Sequence, residues 1–246
     1  MRNIMCVIAY DGTDFWGWQV QDEGRTVQGE IEKVLKTMTG ENIRVTAAGR
    51  TDTGVHSTGQ VINFSASMDN IPLDKIPLAL NYYLPHDVRV LEAREVDCDF
   101  SSRFSATARL YRYYMYESPC SLPHLNRYAW RLIHHPDIRR LNKMASFFRG
   151  ERDYTTFSNA KDASLSKKRN IHSAVFYYQN SQLVFEIKAD SFLYRMVRSI
   201  VGSLIEFEKK AYDPYHIDEI IKKEKRELAG TTAPAHGLFL EKVFYD

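Results

Sequence analysis

Apolar residues recur along this chain in two rhythms, and each predicts a kind of element. Residues 3–10 (Asn-Ile-Met-Cys-Val-Ile-Ala-Tyr) form a short apolar run that stops at Asp11-Gly12-Thr13, which reads as a strand and a turn. Val27, Ile31, Val34, Leu35 and Met38 then repeat at the 3.6-residue period of a helix. Thr26 can cap that helix and Gly40 can stop it. Strands are predicted at 43–48 and 60–66. A helix is predicted near 75–84 with Pro77 in its first turn, and a strand from Asp87 to about Val96.

The pattern restarts near residue 105. Arg109 to Tyr116 alternates as an aromatic strand. Asp137 is placed to cap a helix carrying Ile138, Leu141, Met144, Ala145 and Phe148. Val175–Tyr178 and Leu183–Ala189 read as paired strands around residues 179–182. A long helix is expected over 192–208, a shorter one after Asp213-Pro214, and a last strand from Leu238 to Tyr245. The polar stretch 158–170, with Lys161, Lys167, Lys168 and Arg169, reads as a mobile loop. The expected class is α+β: two mixed halves, 1–104 and 105–246, with largely antiparallel sheets.

Composition narrows the function classes. With 246 residues and 44% hydrophobic content the chain can build a real core. A net charge of +2 does not by itself imply nucleic acid. Cys6, Cys98 and Cys120 are odd in number and contain no Cys-x-x-Cys pair. Neither a disulfide framework nor a cysteine-type zinc site is expected, and a reduced, cytoplasmic setting fits. The first apolar run is too short for a signal peptide or membrane span. There is no phosphate-binding Gly-x-x-x-x-Gly-Lys-Ser/Thr and no Gly-x-Ser-x-Gly.

Three segments carry candidate chemistry. Residues 49–56, Gly-Arg-Thr-Asp-Thr-Gly-Val-His, place Asp52 between Arg50 and a glycine, where a fold can fix one side chain. A guanidinium nearby favours the ionised acid, which can act as nucleophile or base; a surface turn is the plainer reading. In the strand Arg109-Leu110-Tyr111-Arg112-Tyr113, residues Arg109, Tyr111 and Tyr113 share a face. Arginine holds phosphate and a tyrosine ring stacks on a base, although a tyrosine-rich core strand explains the same pattern. In the expected helix from Phe192, Arg195 lies opposite the apolar stripe and Arg198 at its margin. Arg198 then needs an anionic partner, with Asp52 and the local Glu206 as candidates. His56 reads as a turn histidine, and His134 and His135 as structural.

The octet does not stand alone. Tyr10-Asp11-Gly12-Thr13, Gly17-Trp18-Gln19, Thr26-Val27-Gln28 and Asn81-Tyr82-Tyr83-Leu84-Pro85 accompany it. So do Arg103-Phe104-Ser105-Ala106-Thr107-Ala108-Arg109, Tyr111-Arg112-Tyr113, Phe192-Leu193, Met196-Val197-Arg198, Ala233-Pro234 and Gly237-Leu238. In this order, over nearly the whole length, the chain closely resembles the tRNA pseudouridine synthase A family. Two departures are small: that family's octet usually has Ala where Thr53 stands, and small residues vary at Ser57. Neither touches the carboxylate.

The resemblance implies isomerisation of uridine to pseudouridine at positions 38, 39 and 40 of the tRNA anticodon stem-loop. It implies a homodimer with no metal and no organic cofactor. It also implies two α+β halves whose sheets join, with the active site in the cleft between them. The family's catalytic acid falls on Asp52, its base-stacking tyrosine on Tyr111 and its acid-pairing arginine on Arg198. Arg50 is expected to handle RNA, and Arg109 to bind substrate. The chemistry suits these residues, because the target uridine must be flipped out and its detached base held. A non-catalytic tRNA-binding or RNA-folding module on the same scaffold is the alternative.

Overall fold

Local signals account for most of the elements. The computed structural model describes residues 1–245. Strand β1 (Arg2–Tyr10) ends at the Asp11 turn, where the Asp11 carboxylate accepts from Thr13 N at 3.0 Å. Helix α1 (Val27–Thr39) starts with Thr26 Oγ1 accepting from Gly29 N at 3.3 Å and stops at Gly40, whose φ is 77°. Strands β2 (Thr46–Ala47) and β3 (His56–Ala66) flank the octet. Helix α2 (Ile76–Tyr83) has Pro77 in its first turn and precedes strand β4 (Val88–Val96).

The second half contains β5 (Ala108–Glu117), β6 (Trp130–Leu132), α3 (Ile138–Ser146), β7 (Gly150–Asp153), β8 (Lys168–Gln179), β9 (Gln182–Ala189), α4 (Met196–Lys209) and α5 (His216–Lys223). Strand β10 (Leu238–Phe244) follows. Asp137 caps α3 by accepting from the amides of Arg139 and Arg140. Asn180 and Ser181, both at positive φ, make the tight turn joining β8 to β9. Among the described residues no helix is long and apolar enough to cross a membrane.

The chain forms two units. The first comprises Met1–Thr107 and the end of the chain from Phe239; the second is Ala108–Leu238. In the first unit β1 lies antiparallel between β4 and β3, β10 runs parallel to β3, and β2 adds to β3. Ile4, Cys6, Ile8 and Tyr10 of β1 bury one face against Val27, Ile31 and Leu35 of α1 and Ile76 and Leu80 of α2. Each fully buried aliphatic side chain there contributes about 2 kcal/mol. In the second unit β9 lies antiparallel between β5 and β8, β7 extends β8, and β6 runs parallel to β5. Buried side chains of that unit include Tyr113, Met115, Phe176, Phe185 and Ile187 of the sheet, Leu141 and Met144 of α3, and Ile200, Val201 and Leu204 of α4.

The α+β class and antiparallel character agree with the sequence reading. Four boundaries differ. The strand expected over 43–48 contracts to two residues, and β3 begins at His56 rather than near 60. Strand β8 begins at Lys168, inside the stretch expected to be loop. Helix α4 begins at Met196 because Arg195 takes a left-handed conformation, with φ 61° and ψ 12°. Arg195 therefore does not sit on a helical wheel at all, and its expected place opposite the apolar stripe does not apply.

Candidate active site

In the first unit the octet is a loop clamped on several sides. Ala48 N donates to Val61 O at 2.8 Å, and Gln60 Nε2 donates to Gly49 O at 2.7 Å. The Thr51 carbonyl accepts from Trp18 N at 3.1 Å, and the Thr51 and Tyr10 hydroxyls bond at 2.9 Å. Asp52 O accepts from Val55 N at 3.1 Å, which closes a turn through Thr53 and Gly54. Asp52 itself is half-buried, and Arg50 and Thr53 are exposed. The exposure of Thr53 explains why a hydroxyl is tolerated where the related octet usually has Ala.

Two glycines let a second segment lie against this loop. A Cβ on Gly12 would stand 2.0 Å from Val55 O. One on Gly17, whose φ is 92°, would stand 2.7 Å from Thr51 O, 3.1 Å from Thr53 N and 3.2 Å from the carbonyl carbon of Asp52. The main chain of residues 51–53 is thus packed directly against Gly17. Arg25 fixes the segment that carries these glycines. Its guanidinium takes both oxygens of Asp87 at 2.5 and 2.9 Å, Glu30 at 2.6 Å, and the face of Phe15 at 4.2 Å. Burial pushes the Asp87 carboxyl up, but the Arg25 bonds and charge outweigh it, so its pKa lies below the ordinary value.

His56 is not a turn residue. It is the first residue of β3, is 1% exposed and stacks on Phe239 with ring centres 4.5 Å apart. Its Nδ1 accepts from Gly12 N at 3.0 Å. The same nitrogen lies 3.1 Å from Asp11 Oδ1. The ring locks the Gly12 turn to β3.

In the second unit Tyr111 sits on β5, is 8% exposed, and packs nearly perpendicular to Phe192 with ring centres 5.1 Å apart. Arg109, two residues earlier on the same strand, donates from Nη1 to Asp190 O at 2.7 Å. Arg198 lies in the first turn of α4, half-buried. Its Nε donates to Ala233 O at 2.9 Å, and its own carbonyl accepts from Ala233 N at 3.0 Å. The 230–237 segment is seated on α4 by close approach: a Cβ on Gly202 would stand 1.8 Å from Thr231 O. Tyr113 Oη donates to Pro234 O at 2.8 Å. Burial pushes the Tyr113 phenol up against the opposing pull of Arg198. Burial pushes His236 down and Arg198 adds to this, with a backbone bond at Ala129 opposing, which favours the neutral imidazole.

Of the residues singled out in the sequence, Asp52 and Arg50 belong to the first unit and Tyr111, Arg109 and Arg198 to the second. Glu206 binds Lys210 Nζ at 2.6 Å and Thr231 N at 2.9 Å, so it is engaged with those groups. His134 and His135 pair with Glu208 and Glu117 at 3.1 and 2.5 Å. Sequence reading missed the Arg25–Asp87 clamp, whose partners lie 62 residues apart, and the bond of Tyr194 N to Asp162, 32 residues apart. No local periodicity announces either.

Comparison with known proteins gives this framework a relationship. A family model described as tRNA pseudouridine synthase matches residues 6–105 and 144–246. tRNA pseudouridine synthase A of Brachyspira hyodysenteriae is 42% identical over 246 residues, spanning 100% of this chain and 99% of that protein. The protein of the same name from Treponema denticola is 43% identical over 249 residues, spanning 99% and 93%. That of Acetivibrio thermocellus is 40% identical over 245 residues, spanning 100% of both. The crystal structure of a Cbf5-Nop10-Gar1 complex overlaps 82% of this chain and 44% of that chain at 10% identity and a TM-score of 0.38, too distant to add to the assignment. The matched segments include the Asp52 loop, the Arg198 helix and the 230–237 segment that receives its guanidinium, and on that basis the chain belongs to the tRNA pseudouridine synthase family.

Proposed function

We propose that this chain isomerises uridine to pseudouridine in tRNA, at positions 38, 39 and 40 of the anticodon stem-loop, as a cytoplasmic homodimer. In this reading Asp52 acts on the ribose of a flipped-out uridine, either by attacking C1′ or by removing a ribose proton. The N1–C1′ bond breaks, the base turns, and a C5–C1′ bond forms. The C5 proton leaves and N1 gains one, so no oxidant, reductant or water is consumed. Tyr111 stacks on the detached base. Arg198 supplies a guanidinium held in one place by the Ala233 carbonyl. Arg50 and Arg109 are assigned to the RNA.

The observation that supports this reading best is how firmly the Asp52 loop is held. Trp18, Gln60 and Gly17 fix its main chain and Tyr10 holds the Thr51 hydroxyl, while Asp52 itself stays half-buried. A carboxylate that must meet one sugar atom needs such placement. The test is tritium release from C5-labelled tRNA with mapping of the modified sites. Asp52→Ala is expected to fold and bind tRNA but release nothing. Normal product from that variant would end the assignment, and binding without turnover by the unaltered chain would point to the non-catalytic module.

A further inference from the structure

The loop before β8 is not a loose basic tract. Asp162, whose side chain is 4% exposed, accepts at Oδ1 from Lys167 Nζ at 2.6 Å and Ser164 N at 2.9 Å. Its Oδ2 accepts from Tyr194 N at 2.5 Å. Asn159 N, three residues earlier, donates to Tyr194 O at 3.1 Å. Both main-chain polar groups of Tyr194 are therefore taken up by this loop. On its far side Lys167 O accepts from the amide of Tyr154, a fully buried residue, at 3.0 Å. The loop thus runs from the core of the second unit to the segment just before α4.

That segment is under strain and has work to do. Arg195, next to Tyr194, holds φ 61° without being glycine, which costs about 1–2 kcal/mol. Such a conformation persists only where the surroundings over-determine it. Two residues before Tyr194, Phe192 packs at right angles to Tyr111; four residues after it comes Arg198. We propose that Asp162 is a positioning residue: its carboxylate fastens the main chain at Tyr194 and so fixes both Phe192, behind Tyr111, and the start of the helix that carries Arg198. This rests on the functional reading above for what Tyr111 and Arg198 do. Burial pushes the Asp162 carboxyl up, but the bonds from Lys167, Tyr194 and Ser164 more than reverse this and hold it well below the usual carboxylate range. The acid therefore stays charged throughout the working pH range. A role in stability alone predicts something else: lost melting temperature with unchanged turnover of the folded fraction.

The experiment uses the full chain with Asp162→Ala, Asp162→Asn and Lys167→Met. Asp162→Ala is expected to lower kcat by about 10- to 100-fold while the Kd for tRNA stays within about threefold. Amide hydrogen exchange should quicken at residues 192–198 and stay slow in β8 and β9. In an Arg198→Lys background, Asp162→Ala should cost less than about threefold more, because it acts through the same segment. Wild-type kcat in folded Asp162→Ala, unchanged exchange at 192–198, or full multiplication of the two losses would each overturn the proposal. If Asp162→Ala does not fold, Asp162→Asn and Lys167→Met are held to the same criteria with smaller losses. If the unaltered chain forms no pseudouridine, the functional reading fails, and the exchange comparison still decides whether Asp162 holds the segment.

Discussion

Gly17→Ala offers the sharpest test of the idea that the Asp52 loop works by being held still. The new Cβ would lie 2.7 Å from Thr51 O and close to two further main-chain atoms of residues 52 and 53. These are backbone atoms and cannot rotate away. Ordinary contacts to carbon begin near 3.5 Å, so Thr51 O must retreat by roughly 0.8 Å. That movement strains the Trp18–Thr51 hydrogen bond, worth about 1 kcal/mol. Placing alanine at φ 92° costs about 1–2 kcal/mol more. The expected destabilisation is about 2–3 kcal/mol, measured by urea unfolding. The expected catalytic loss is larger in kind: a displacement near 1 Å beside the reacting group costs about 100-fold in kcat. Gly40→Ala is the control. Its φ is 77°, and nothing lies within 4 Å of the new methyl. It should lose about 1 kcal/mol of stability and no tritium-release activity. Wild-type kcat in Gly17→Ala, or equal catalytic losses in the two variants, would refute the reasoning.

Three further outcomes are expected. The Tyr10 phenol is pushed up to about 12 by burial, against opposing bonds from Thr51 and Gln60. Its folded pKa lies above the unfolded value, so stability should fall as pH rises from about 10 to 12, by on the order of 2–3 kcal/mol. Tyr10→Phe should remove that part of the alkaline decline in chemical denaturation, and an unchanged decline would contradict it. For Asp87 the sign is opposite. Its pKa is lowered by Arg25, so the stability it contributes is present above the ordinary carboxyl range and is lost as pH falls through its folded value. Arg25→Met should cost about 2 kcal/mol at pH 7 and much less near pH 2, and an equal cost at both would exclude the charge effect. Arg198→Lys cannot reproduce the planar fork of a guanidinium whose Nε is anchored on Ala233 O, so kcat should fall at least about tenfold. A wild-type rate would remove Arg198 from the mechanism.

What could be read in the sequence was what is decided locally. Helix α1 was legible at both ends because its stop signals lie within the helix's own neighbourhood: Thr26 reaches Gly29, and Gly40 turns back to Lys36. The β8–β9 hairpin was legible for the same reason. Errors arose where a distant partner decides. Strand β3 starts at His56 because Gly12 and Phe239 hold that ring, and neither is near it in sequence. The spacing of Leu193, Met196, Val197 and Ile200 suits a helix from 192, but the main chain at Tyr194 is claimed by Asp162, 32 residues earlier. Asp162 itself was hidden in a polar stretch whose basic residues suggested only a mobile loop. The octet was legible as a site because its residue types are unusual together; its clamps at Gly12, Gly17 and Trp18 became visible only in three dimensions.

The final strand carries a consequence for how the protein comes into being. Phe239 and Leu240 line up with His56 and Ser57, the Ser57 hydroxyl is tied to Leu240 O at 2.7 Å, and Gly59 lies against Glu241. A ribosome delivers those partners after strands β1 to β9. Throughout translation, the edge of β3 next to the octet waits with its main-chain groups unclaimed. A message truncated just before codon 239 would therefore injure the sheet that holds the amino terminus, and leave the later-made half with its own strands complete.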